Sequence, residues 1–220
     1  MRCPLSIATI LGVLAAATAE STHAQSSPIA SPAAIARARV DSLRLPYTDA
    51  DVTFMQSMIG HHAQAMVMSR LAPTHGADAA VLRLAERIIN AQEDEIGTMQ
   101  RWLAARLQRV PDAAPTPHAM MNHGGMAHSA DMPGMLTDVQ MAALSAARGA
   151  DFDRLFLRGM IQHHRGATAM VSTLFSSPGA GQDETIFKFA SDVNVDQTTE
   201  IVRMQRMLFD LETRAPGSQK

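Results

Sequence analysis

The sequence predicts an all-α fold, a four-helix bundle made of two repeated helical hairpins. Apolar residues recur at helical spacing in four long stretches, and Pro/Gly turns divide those stretches into two pairs. The two pairs also superpose. Asp51, Phe54, Met58, His61, His62 and Ala65 fall on Asp153, Phe156, Met160, His163, His164 and Ala167 at a constant offset of 102, and Gln92, Glu95 and Met99 fall on Gln197, Glu200 and Met204 at an offset of 105. A single hairpin would leave its apolar face open, whereas two packed together close both faces.

The elements follow in order. Residues 1–24 have the layout of a secretory signal peptide: Arg2, an uncharged apolar run from Leu5 to Ala17, then small residues that place cleavage after Ala19 or Ala24. Residues 25–47 form a leader rich in Ser, Pro and Ala, with a short amphipathic stretch from Ile35 to Leu45 that predicts a helix. The bundle domain spans 48–214. Thr48-x-x-Asp51 resembles a capping box and opens a helix over Asp49 to Ala72, stopped by Pro73. After the turn at Pro73 to Gly76, Val81, Leu84, Ile88, Ile96, Met99 and Leu103 describe a long amphipathic helix ending before Pro111.

Residues 111–136 hold four prolines, three glycines and a crowd of Met and His, a composition that predicts a mobile linker. Thr137-x-x-Gln140 starts the next helix, which Gly149 interrupts and which ends near Ser176. A turn at Ser177 to Gly181 leads to a last helix from Glu184 to about Arg214.

Composition excludes several functions. A formal net charge of -2 gives no electrostatic basis for binding nucleic acid. No segment reaches the roughly 18 apolar residues of a membrane helix, so no membrane insertion is expected. Cys3, the single cysteine, would leave with the signal, so the mature chain carries neither thiol nor disulfide. A periplasmic or secreted location is expected.

Sixteen methionines and nine histidines stand against one Trp, one Tyr and seven Phe. Their placement points to metal. Positions i, i+3 and i+4 share a helix face, so Met58 lies beneath His61 and His62, Met66 one turn beyond His62, and Met160 beneath His163 and His164. Adjacent residues diverge by about 100° around a helix axis, and the apolar stripe makes His62 and His164 the more inward members. On the partner helices Gln92, Glu95 and Met99 share one face, as do Gln197, Glu200 and Met204. Equal rise from the first turn sets His62 level with Arg87 to Gln92, and Met58 nearer Glu95.

Thioether with imidazole suits copper(I), and imidazole with carboxylate also accommodates copper(II); magnesium, calcium and manganese are poor matches. In the linker, Met120, Met121, His123, Met126 and His128 add candidate ligands on a segment able to wrap an ion. A di-iron enzyme of the ferritin kind would need Glu-x-x-His on two helices. No glutamate in residues 48–214 is followed three positions later by histidine, so catalysis is not expected.

The segments "DVTFMQSMIGHHAQAMVMS" and "FDRLFLRGMIQHHRGATAMV" resemble the signature of family 305 among the domains of unknown function. The resemblance covers about Thr48 to Glu212. It implies a ferritin-like bundle, and for some exported members copper binding and copper tolerance, with Met58, His61, His62, Met160, His163 and His164 as the positions carried over. Gly166-Ala167 follows the second histidine pair as in the family, whereas the first pair is followed by Gln64-Ala65. The expectation is an exported protein that buffers or sequesters copper without turnover. The alternative is a ligand-free scaffold or partner-binding bundle whose histidines are structural.

Overall fold

The computed structural model describes residues 31–33, 36, 47–113 and 132–213. Five α-helices, and no strand, are found among the described residues: α1 (Asp49–Leu71), α2 (Ala79–Ala105), α3 (Asp138–Ala146), α4 (Gly149–Ser176) and α5 (Glu184–Thr213). The signal peptide, all but Ala36 of the helix expected at Ile35 to Leu45, and most of the 111–136 linker lie outside the described residues.

The helix ends follow the local chemistry. Thr48 caps α1 through a complete capping box with Asp51, and Thr137 does the same for α3 with Gln140. Pro73 cannot continue α1, so the chain tightens into a 3-10 turn at Ala72–Thr74, reverses at Gly76 (φ +68°) and restarts under the Asp78 cap. The break between α3 and α4 falls at Ala147 and Arg148, both extended, and α4 restarts at Gly149, at φ +56°.

α1 pairs with α2 and α4 with α5, and α1 packs on α4 to join the hairpins. The first helix of each hairpin also reaches the turn of the other. The Asp51 carboxylate accepts the Gly181 N–H at 2.7 Å, and the Asp153 carboxylate accepts the Asp78 N–H at 3.2 Å. Burial raises the Asp153 pKa; the Asp78 N–H and Arg154 oppose that rise, while the Asp78 carboxylate adds to it.

Two apolar clusters fill the interior. One combines the front of α1 with the back of α4 around Phe54, Met55, Met99, Trp102 and Phe189. The other combines the back of α1 with the front of α4 around Met68, Leu84, Ile88, Phe152 and Phe156.

The end of the linker departs from the sequence expectation. Residues 132–136 are docked, with Met135 and Leu136 buried. Gln64 grips Leu136 at both backbone groups, donating to its carbonyl at 2.9 Å and accepting its N–H at 2.8 Å, and Gln162 donates to the Met135 carbonyl at 3.1 Å. Glycine makes this approach possible. A Cβ on Gly166 would stand 1.9 Å from the Pro133 carbonyl oxygen, and Gly134 itself sits at φ +79°. Composition marked the segment as unable to pack because it registers Pro and Gly as breakers and cannot show the small-residue bed that receives them.

Replacing Gly166 with Ala is expected to push residues 132–136 off α4 and lower stability by about 1–3 kcal/mol, the range for overpacking a filled site. Urea unfolding followed by circular dichroism measures this. A midpoint equal to that of the parent would contradict the docked arrangement.

Candidate metal centre

The helical hydrogen-bond ladder leaves α1 and α4 free to present the paired histidines inward, and the rings enter where the two apolar clusters meet. His61, His62, His163 and His164 are all 0 % exposed. The expected ranking of His62 and His164 as the more inward members is therefore corrected. Within each pair one ring faces the other hairpin and its neighbour faces the partner helix of its own hairpin, so both are enclosed.

His61 and His163 meet between the hairpins with ring centroids 3.8 Å apart and planes tilted by 39°. His163 Nε2 lies 2.9 Å from the His61 carbonyl, and His61 Nε2 lies 3.0 Å from the Pro133 carbonyl. His62 Nε2 is 2.7 Å from Glu95 Oε2, and His164 Nε2 is 2.8 Å from Glu200 Oε2. The equal-rise register is thus corrected by about one turn: His62 meets Glu95 rather than the Arg87 to Gln92 level. The 3-10 turn and the residues up to the Asp78 cap lengthen the reversal, which equal counting from the turn did not anticipate.

Carbonyl and unprotonated carboxylate oxygens only accept hydrogen bonds, so each Nε2 donates and each neutral ring is the Nε2–H tautomer. Of the four Nδ1 atoms, each carries a bare lone pair where its ring is neutral. All four are buried without a hydrogen-bond partner. Gln92 lacks a partner at both amide atoms and Gln197 at its oxygen. An unmet buried polar group costs on the order of 1–3 kcal/mol, a penalty that an ion accepting those lone pairs would relieve.

Electrostatics keeps the central pair neutral. Burial, followed by the neighbouring His62 and with a smaller push from His164, lowers the His61 pKa from 6.5 to about 3 against the opposing Pro133 carbonyl. Burial and then His61, His164 and His62 push His163 well below the ordinary imidazole value, with the His61 carbonyl opposing. Burial raises Glu200, but the His164 hydrogen bond and charge, together with Arg87 at 2.9 Å, outweigh it and leave the carboxyl below its usual value.

The candidate thioethers sit on either side. Met58 and Met66 belong to one apolar cluster and Met160 to the other, all buried. Among the described residues no three His, Cys, Asp or Glu side chains converge as a metal cage. Met120, Met121, His123, Met126 and His128 lie outside the described residues. Sequence reasoning recognised Gln92, Glu95, Gln197 and Glu200 as a polar face without making them part of the site. The signal available was Gln-x-x-Glu repeating at the same offset as the rest of the helix.

The neutral central pair sets a pH dependence for the metal-free protein. Unfolded histidine takes up a proton near pH 6.5, whereas folded His61 resists until about 3. The stability this contributes is fully present above pH 6.5 and is lost as the pH falls towards 3. Each such group steepens the loss by up to about 1.4 kcal/mol per pH unit. Urea midpoints are expected to drop between pH 7.5 and pH 5, and a flat profile would contradict a neutral buried pair.

Comparison with known proteins bears on the fold and the family. No curated protein matches the chain significantly. A DUF305 protein from Streptomyces coelicolor, provisionally described as secreted, is 28% identical with a TM-score of 0.60, the match covering 76% of this chain and 96% of that one. A DUF305 fragment from Deinococcus radiodurans is also 28% identical, with a TM-score of 0.61 and coverage of 74% and 98%. CopM in its Cu(II)-bound form is 30% identical, with a TM-score of 0.56 and coverage of 73% and 96%, and CopM has also been solved with Cu(I) and with Ag. The family model for the domain of unknown function DUF305 matches residues 51–208, and the chain belongs to that family.

Proposed function

We propose that this protein is an exported copper-binding protein that buffers or sequesters copper through imidazole and thioether ligands, without turnover. The observation that carries the reading is the buried group of four imidazoles, each with an unpartnered Nδ1, with Met58, Met66 and Met160 buried in the two apolar clusters. Soft thioethers together with imidazoles suit copper(I), and the carboxylates beside His62 and His164 extend the set towards copper(II). The likeness to CopM, solved with both copper oxidation states and with silver, supports the same metal class. The N-terminal sequence and the provisional description of the Streptomyces relative support export. No helix among the described residues is long and apolar enough to cross a membrane.

A second reading, in which the histidines only brace the bundle, has one observation in its favour: every ring already has an oxygen partner at Nε2. Copper(I) titration against a chromophoric chelator under reducing conditions separates the two. Met58→Leu with Met160→Leu conserves core volume and costs under about 1.5 kcal/mol per site. That pair is expected to weaken copper(I) binding while the circular dichroism spectrum stays helical. Replacing residues 114–131 with an equal length of Gly and Ser is expected to remove a separate fraction of bound copper. A parent protein that takes up no copper(I) would establish the bracing reading instead.

A further inference from the structure

The four buried rings are not equivalent. His61 and His163 donate to backbone carbonyls and lie ring against ring, so one face of each ring serves the contact between hairpins and its Nε2 edge is taken by a carbonyl. His62 and His164 donate instead to carboxylates, at 2.7 and 2.8 Å, from positions related by the internal offset. A carboxylate acceptor makes the stronger, charge-assisted bond. It also fixes the tautomer and makes the opposite ring nitrogen more basic, which is how outer carboxylates tune histidine ligands in metal sites.

The exposures match that division. The His62 and His164 side chains are 1% and 0% exposed, while Glu95 and Glu200 retain 18% and 20%. Each carboxylate therefore spans from water to a buried ring. Glu200 is further oriented by Arg87, which takes Oε1 and leaves Oε2 to His164.

Resting on the copper-binding reading, we propose that Glu95 and Glu200 are positioning residues for two metal half-sites. Each holds its histidine, His62 or His164, as the Nε2–H tautomer and presents the Nδ1 lone pair to a soft monovalent cation. The stacked His61 and His163 pair is the structural joint between the hairpins and does not ligate.

Long-range proton–nitrogen correlation spectra of the imidazoles, recorded on the full-length protein without metal and then with silver(I) as the probe, test the assignment. The expected result is an Nε2–H tautomer at all four rings without metal, and a silver-induced shift at Nδ1 of His62 and His164 only. Glu95→Gln with Glu200→Gln is expected to weaken copper(I) binding by about 10–100-fold, the usual effect of removing such an outer carboxylate, with the melting temperature changed little. Silver shifting Nε2, silver shifting His61 or His163, or unchanged copper(I) affinity in the double variant would each overturn the proposal while leaving copper binding in place. Absence of any silver(I) or copper(I) uptake by the parent would overturn the functional reading and the half-sites together. Should the double variant not fold, Glu95→Gln alone and the silver shifts in the parent still decide.

Discussion

The structure depends on one constraint: four imidazoles buried in a single layer must each find an acceptor without leaving the core. A buried donor without a partner costs on the order of 1–3 kcal/mol, so the layer tolerates few arrangements. The partners found come from four different elements. They are the His61 carbonyl on α1, the Pro133 carbonyl in the docked segment, and the carboxylates of α2 and α5. Satisfying all four therefore fixes the register of α1 on α2, of α4 on α5 and of one hairpin on the other.

Around that layer the core is adaptable. Met55, Met58, Met66 and Met99 crowd one apolar cluster, and Met68, Met160 and Met204 the other. Methionine is unbranched and fills irregular space at low cost, so thioethers can move a sulfur without dismantling the packing. A rigid polar layer is thus set between deformable apolar halves. The same methionines account for an interior with few aromatic rings.

Much of this was legible in the sequence because it rests on local chemistry. Caps at Thr48 and Thr137 and the breaks at Pro73 and just before Gly149 depend on residues close in the chain. What escaped depends on neighbours distant in the chain. The equal burial of His61 and His62 arises because α1 is covered by α2 on one side and α4 on the other, which the periodicity of one helix does not reveal. The level of His62 against Glu95 turns on how many residues the reversal consumes. The docking of residues 132–136 requires Gly159 and Gly166 on α4 to clear a bed, and glycine in a helix is read from sequence alone only as a weak former.

The cross-stitch between the hairpins bears on chain topology. His62 with Glu95 and His164 with Glu200 close segments of 33 and 36 residues, whereas His163 with His61 and Asp51 with Gly181 close 102 and 130. Loop-closure entropy grows only logarithmically, by about 0.6 kcal/mol per doubling, so the longer closures add roughly 1 kcal/mol over the shorter ones. The long closures between the hairpins are therefore thermodynamically inexpensive beside the short ones, and the fixed contacts that make the joint need only a small surplus to hold it.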